Sequence, residues 1–471
     1  MTEKIVSSSS HPGKIAIVVD NPRRDLRGLV LLAHQLALRG VAAVVVPMYQ
    51  QGYDIPLIAP DLVVVNYARE SNRPLLETYR SAGYGVAVLD TEGGILSSKG
   101  HDAPDTWAAS ICRSGLSALI DHYAFWGENV HHAFVRHSGI PPEKLWLTGC
   151  PRYDLCVEPW RSMLRHTRRD FILVNTNFSA INPRYTRSAS EERAIFRSLG
   201  WTEEYVKRIF ADLERVFPVY LETIESLARA FPKRQILVRP HPFENESLYR
   251  ERFAGIANIV IDGAGDVLNV ISASDGVIHL NCGTAVDAVL CGKVPISIEY
   301  LNTETIKSHA PLPSSISLQA GNFEELCAFV ETLPDRSPYD IEAAQAVTRP
   351  WFHHSDGLAA ARLADLLVGA LATKSTVARR SATMALRGGR RNASVGQVLL
   401  GLSSLAAGSA AADVLRQRIQ PSRTGKAFGV ADVAALLQDY AACSSDPAAR
   451  VRHARNPLTK LPLSSIEVFT V

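Results

Sequence analysis

No stretch of this chain approaches the roughly 18 uninterrupted apolar residues of a membrane-spanning helix, so no such helix is expected. Its start, Met1 to Pro12, is polar and Ser-rich without an apolar core, so no secretion signal is expected. Seven cysteines are scattered, odd in number and mostly set in apolar runs. They form no CxxC pair and no His/Cys cluster of zinc-ligand spacing, which fits reduced thiols in a cytoplasmic protein. No Gly-x-Gly-x-x-Gly follows the first apolar strand, which disfavours a dinucleotide at that point.

What the chain does have is core-forming material. At 471 residues, 46% hydrophobic and 21% charged, it is too long for one compact domain and suits two plus an appendage. The stretch from Gln235 to Ile298 organises the reading. Short apolar strands (Gln235–Arg239, Ile259–Asp262, Gly276–Leu280, Val294–Ile298) alternate with helical runs, the pattern of βαβ units on a parallel sheet. Ligands of such sheets lie beyond the carboxyl ends of the strands. Two motifs fall there, about forty residues apart: Arg239-Pro240-His241-Pro242 and Asn281-Cys282-Gly283-Thr284. Gly283-Thr284 opens a helix whose free N–H groups suit an anion, and Arg239 and His241 add donors. The expectation is a phosphate-binding crevice.

These residues resemble the carboxy-terminal half of GT-B glycosyltransferases that build bacterial surface carbohydrates. The nearest are the capsule and lipopolysaccharide Kdo transferases, the bacterial sialyl- and polysialyltransferases, and related nonulosonic-acid transferases. In those families a His-Pro motif and a downstream Ser/Thr motif hold the phosphate and ribose of a CMP-sugar; teichoic-acid polymerases using CDP-glycerol share a similar half. The resemblance covers roughly residues 14 to 370. It implies a donor site of Arg239, His241, Pro242, Asn281, Gly283 and Thr284, with the loop carrying Asn175 and Asn177 nearby.

The first half reads as a Rossmann-like domain by periodicity, with strands at Ile15–Val19, Val41–Val46, Asp61–Asn66 and Gly85–Leu89. The fourth ends in Asp90-Thr91-Glu92-Gly93-Gly94. Two carboxylates and two glycines at a strand's carboxyl end fit a site facing the crevice, the glycines allowing close backbone approach. Bacterial sialyltransferases of this fold carry a short acidic-acidic-Gly motif here, whose carboxylate acts as general base, and related proteins read Asp-Glu-Glu-Gly; Thr91 departs from that pattern. Gly149-Cys150-Pro151-Arg152-Tyr153-Asp154 resembles the Thr-Gly-x-Pro-Arg-x-Asp stretch that closes the first domain in these families, with Arg152 able to approach the crevice.

The expected architecture is α/β: a GT-B pair of Rossmann-like domains facing a central crevice, plus a basic helical tail. Its boundaries are an acceptor-side domain at 14–156, a nucleotide-sugar domain at 170–336, helices crossing back at 337–370, and a tail of short helices at 373–471. The expected activity moves an ulosonic acid from a CMP-sugar to a surface glycan or glycolipid acceptor. Asp90 and Glu92 act on the sugar side. One of them deprotonates the acceptor hydroxyl with inversion, or Asp90 attacks directly and retention follows; likeness to the Kdo transferases favours the latter. Gly93 and Arg152 are candidate substrate contacts. No cofactor or metal is expected, because Arg, His and a helix end can neutralise one donor phosphate. The rival readings are another donor (a UDP-sugar or CDP-glycerol) and a non-catalytic scaffold of a polysaccharide assembly complex.

Charge is uneven. Residues 371–471 hold 14 Lys and Arg against 5 Asp and Glu, while the rest of the chain holds 36 against 42. Anionic membranes attract such basic segments, so peripheral attachment to the inner membrane is an expectation. Nucleic acid is not expected as a partner, for want of interleaved aromatics or an RNA-binding motif.

Overall fold

The computed structural model describes residues 13–94, 103–186, 188–198, 201–335, 337–373, 425–457 and 459–470. Two parallel sheets dominate it. The first domain carries β1 (Lys14–Val19), β2 (Ala42–Pro47), β3 (Leu62–Val65), β4 (Gly85–Leu89), β5 (His122–Phe125) and β6 (Leu145–Leu147). The second carries β7 (Phe171–Asn175), β8 (Gln235–Arg239), β9 (Ile259–Ile261), β10 (Gly276–His279), β11 (Pro295–Ser297) and β12 (Leu318–Gln319). Runs such as Ile-Ala-Ile-Val-Val in β1 are apolar on both faces because helices cover both sides of a parallel sheet.

Strand order is β2-β1-β3-β4-β5-β6 within the first sheet and β12-β11-β10-β7-β8-β9 in the second. Each sheet therefore reverses direction beside its first strand, between β1 and β3 and between β7 and β10. Such switch points open a crevice at the carboxyl ends, where ligands bind. The helix Ala359–Thr373 crosses back onto the helix Pro22–Leu38 of the first domain, joined by Arg39 to Asp365 at 2.7 Å. Asp154, at the end of the motif closing the first domain, fastens that crossing helix by accepting the Ala359 and Ala360 N–H groups at 2.9 and 2.7 Å. Two Rossmann-like domains with a terminal helix returning to the first make a GT-B arrangement.

The C-terminal segment differs from the expected tail of short helices. The sequence pattern predicts short helical runs near 395–407 and Val430–Tyr440; the second lies within the helix Val430–Ser444, and the first falls outside the described residues, as do Arg379 to Arg391. Beyond the helix come β13 (Arg450–Arg455) and β14 (Pro462–Phe469). β14 pairs antiparallel with β2 through Ile466 to Val45, and β13 pairs with β14, so the first sheet has eight strands. The physical reason is burial on both faces of β14, with Leu463 and Ser465 on one face and Ile466 and Val468 on the other. Two shorter departures occur: His309–Ser317, which reads as a Pro/Ser-rich loop by composition, includes the helix Pro311–Ser315, and Arg349 to Phe352, which read as the approach to the last helix, end the helix Ile341–Phe352. No helix among the described residues is long and apolar enough to cross a membrane.

Candidate active site

On the second-domain wall, strand register sets four polar residues level across the sheet: Ser297, His279, Asn175 and Arg239 on β11, β10, β7 and β8. They do not all face a ligand. Arg239, expected on the donor phosphate, donates its terminal nitrogens to the Ala264 and Gly265 carbonyls at 2.6 Å each. Burial pushes its pKa down, and the side chain braces the loop after β9. Asn175 donates to Thr284 Oγ1 at 2.9 Å, tying the end of β7 to the motif after β10, while Asn177 lies exposed. Asn281 adopts a left-handed φ of 47°, uncommon outside glycine but easiest for Asn and Asp. Its Nδ2 donates to the Ile306 carbonyl at 2.6 Å, and its buried Oδ1 has no hydrogen-bond partner. Gly283 occupies the N-cap position with an ordinary φ of −56° and opens a helix of 7 residues, Thr284–Leu290.

His241 is better placed. Its Nδ1 accepts the Phe243 N–H at 3.3 Å, which puts the ring proton on Nε2. Burial, helped by the nearby Arg24 charge, lowers its pKa to about 4. The ring is therefore a neutral donor near neutral pH. Pro242 shapes a turn whose support the sequence reading missed. That support is Glu244, which accepts Thr176 Oγ1 at 2.6 Å, the Phe178 N–H at 2.5 Å and the Tyr249 hydroxyl. Its own N–H donates to the His241 carbonyl at 2.8 Å. Burial raises the Glu244 carboxyl to about 7. Nothing in Pro242-Phe243-Glu244 signalled this; the role appears only when the loop after β7 packs on the turn.

On the first-domain wall the two carboxylates part company. Asp90 is 2% exposed, and both its oxygens are occupied. Arg69 donates to them at 2.7 and 3.4 Å, the Tyr123 hydroxyl at 3.2 Å, and the Glu92 N–H at 3.0 Å. Glu92 stands in the crevice with 68% of its side chain exposed, 3.9 Å from Arg24. It is accessible yet recessed among surrounding protein, and the loss of solvation raises its pKa against the pull of Arg24. The glycines leave room for aromatic packing. A Cβ on Gly93 would lie 3.1 Å from the Trp126 ring, and one on Gly94 would meet Trp126 at 2.6 Å and Phe352 at 2.7 Å.

Arg24 was also missed, because Arg23-Arg24-Asp25 reads as a solvated helix start. It is clamped by Asp25 at 2.7 Å and Asp20 at 2.9 Å. From there it faces Glu92 on its own wall and lowers the pKa of His241 on the other. Arg152 belongs to the seam between the domains. It is buried and donates to Asp287 Oδ2 at 2.9 Å on the helix Thr284–Leu290. It also lines, with Asp90, Leu29, Val64 and Trp126, a narrow cleft under the first-domain wall. Of the expected residues, the crevice thus presents Glu92 and His241, with Arg24 added between them. Asp90, Arg239 and Arg152 are engaged in holding the walls.

No family model matches the chain, and no curated protein does. Among solved structures it is similar to a putative UDP-N-acetylglucosamine 2-epimerase from Listeria monocytogenes, at 12% identity over 78% of this chain and 99% of that one, TM-score 0.47. It is similar to the S. aureus MnaA–UDP co-structure, at 12% identity over 77% and 98%, TM-score 0.48. A variant of the wall teichoic acid polymerase TagF matches at 12% identity over 76% and 89%, TM-score 0.48. At such identities and scores the likeness stops short of naming a family.

Proposed function

We propose that the protein is a nucleotide-sugar-dependent transferase that works in the crevice between its two domains. The observation that carries this reading is Arg24, 3.9 Å from Glu92 on the first-domain wall, with its charge acting on His241 of the second. A donor phosphate fits between the Arg24 guanidinium and the His241 Nε2–H, a charged and a neutral donor that strengthen as the leaving group gains charge. Glu92, open to the crevice and with a raised pKa, suits a general base that takes the acceptor's proton. Asp90, with Arg69, Tyr123 and a backbone N–H on its oxygens, has no lone pair turned toward a sugar. The geometry therefore favours inversion through Glu92 over a covalent intermediate on Asp90.

The donor is a UDP-sugar, CDP-glycerol or a CMP-ulosonate. The CMP-ulosonate reading leaned on a phosphate cradle of Arg239, His241 and Thr284. Arg239 is committed to carbonyls, which weakens that cradle, while Thr284 Oγ1 accepts from Asn175 and keeps its hydroxyl proton to donate. A thermal-shift panel of CMP, CDP, UDP, CDP-glycerol, a UDP-sugar and a CMP-ulosonate tests the class. A ligand at about 100 times its dissociation constant stabilises by about 2.7 kcal/mol, so a true donor raises Tm clearly. Silence across the whole panel overturns the proposal, and the family of nucleotides that responds fixes the donor.

A further inference from the structure

The C-terminal segment reaches the crevice. Its helix Val430–Ser444 lies on the helix Pro22–Leu38, with the Tyr440 hydroxyl donating to the Arg27 carbonyl at 2.7 Å. Just before it, Lys426 turns inward with 15% of its side chain exposed. Its ammonium donates to Asp20 Oδ1 at 2.8 Å and lies over the Tyr49 ring, 5.5 Å from the centroid. Asp20 follows β1 directly, at the switch point of the first sheet, and its other oxygen receives Arg24 at 2.9 Å. Ordering a long lysine side chain costs conformational entropy and hydration, and a surface pair would return little of that. This one stands at the end of a relay: Lys426 to Asp20, Asp20 to Arg24, Arg24 to the space between Glu92 and His241.

We propose that Lys426 is a positioning residue of the crevice, contributed by the C-terminal segment, which sets how strongly Arg24 attracts an anionic phosphate group. The proposal rests on the reading that the crevice takes a nucleotide-bearing donor. Its physical basis is a charge balance. Arg24 is flanked by Asp20, Asp25 and Glu92. With Lys426 present, two cations meet three carboxylates. Without it a single guanidinium meets all three, Asp20 turns wholly onto Arg24, and an approaching phosphate faces one more uncompensated negative charge. In a partly screened crevice, one unit of charge at that range changes anion affinity by about tenfold. Arg24 touches the ligand; Lys426 acts through it.

The test measures binding of CMP, CDP, UDP and inorganic pyrophosphate to the full chain by calorimetry, with Tm recorded for every variant. Lys426→Met is expected to weaken the tightest nucleotide about tenfold, while Lys426→Arg, which keeps the charge, stays within about threefold of wild type. Lys426→Gln replaces the Met variant if that one does not fold. Wild-type affinity in the charge-removed variant overturns the proposal, as does equal weakening by Met and Arg, which would mark a purely structural role. If the wild type binds no nucleotide, the proposed function falls and pyrophosphate decides the rest. About tenfold dependence of pyrophosphate binding on Lys426 upholds the relay, and absent or insensitive binding overturns it.

Discussion

The two walls of the crevice handle charge in opposite ways. The first-domain wall keeps its ions: Arg24 among Asp20, Asp25 and Glu92, and Asp90 against Arg69. At its His-Pro motif the second-domain wall favours neutral forms. His241 is held neutral, Glu244 is buried among donors with its pKa raised to about 7, and the Arg239 charge is tied to backbone carbonyls. The difference is a division of labour. Neutral, preorganised donors stabilise charge that develops during reaction without demanding solvent reorganisation. A proton acceptor must instead stay ionisable and reachable, as Glu92 does.

The comparison breaks first at Glu92. Glu92→Gln keeps the shape of the first wall and removes its base, so turnover should fall by roughly 10² to 10⁴, while nucleotide binding tightens by up to about tenfold because one negative charge beside Arg24 is gone. Rates near wild type in the folded variant would move the base elsewhere. On the opposite wall, His241→Ala removes one neutral donor, and turnover should drop by roughly 100-fold with the fold intact. A smaller loss would mean that Arg24 alone carries the phosphate.

The smallest effect sharpens the contrast in protonation. His241 has a folded pKa of about 4, below the ordinary 6.5. The unfolded chain therefore binds more protons between those values. The stability that neutral His241 contributes is complete above about pH 6.5 and is lost as pH falls toward 4. The Tm advantage of wild type over His241→Ala should accordingly shrink across that window, and a pH-independent difference would show that the ring is not held neutral.

The sequence made the strands and the switch-point motifs legible, since apolar runs of four to six residues and the punctuation around His241 and Asn281 are local signals. It did not show which side chains face the crevice. Arg239 and His241 sit two residues apart on one motif, yet only packing decides that the loop after β9 takes the first and leaves the second free. Arg24, Glu244 and Lys426 were illegible for a related reason. Each acts across a long sequence separation, Lys426 meeting Asp20 over 406 residues. The excess of positive charge in the last hundred residues hid the strand Pro462–Phe469, whose buried residues lie on both of its faces.

That hairpin changes what the first sheet offers to other molecules. Without β14, β2 would end the sheet as Ala-Ala-Val-Val-Val-Pro, an uncharged strand with free N–H and C=O groups, the kind of edge on which a second chain pairs and aggregates. With it, the outermost strand is β13, Arg-Val-Arg-His-Ala-Arg, and its exposed Arg450, Arg452 and Arg455 repel a neighbour of the same kind. The basic residues of the C terminus thus act as an insulator, replacing a sticky border with a charged one. Deleting residues 425–471 should give light scattering that grows with concentration at a temperature where the full chain stays clear. A clear solution would mean that the border is guarded in another way.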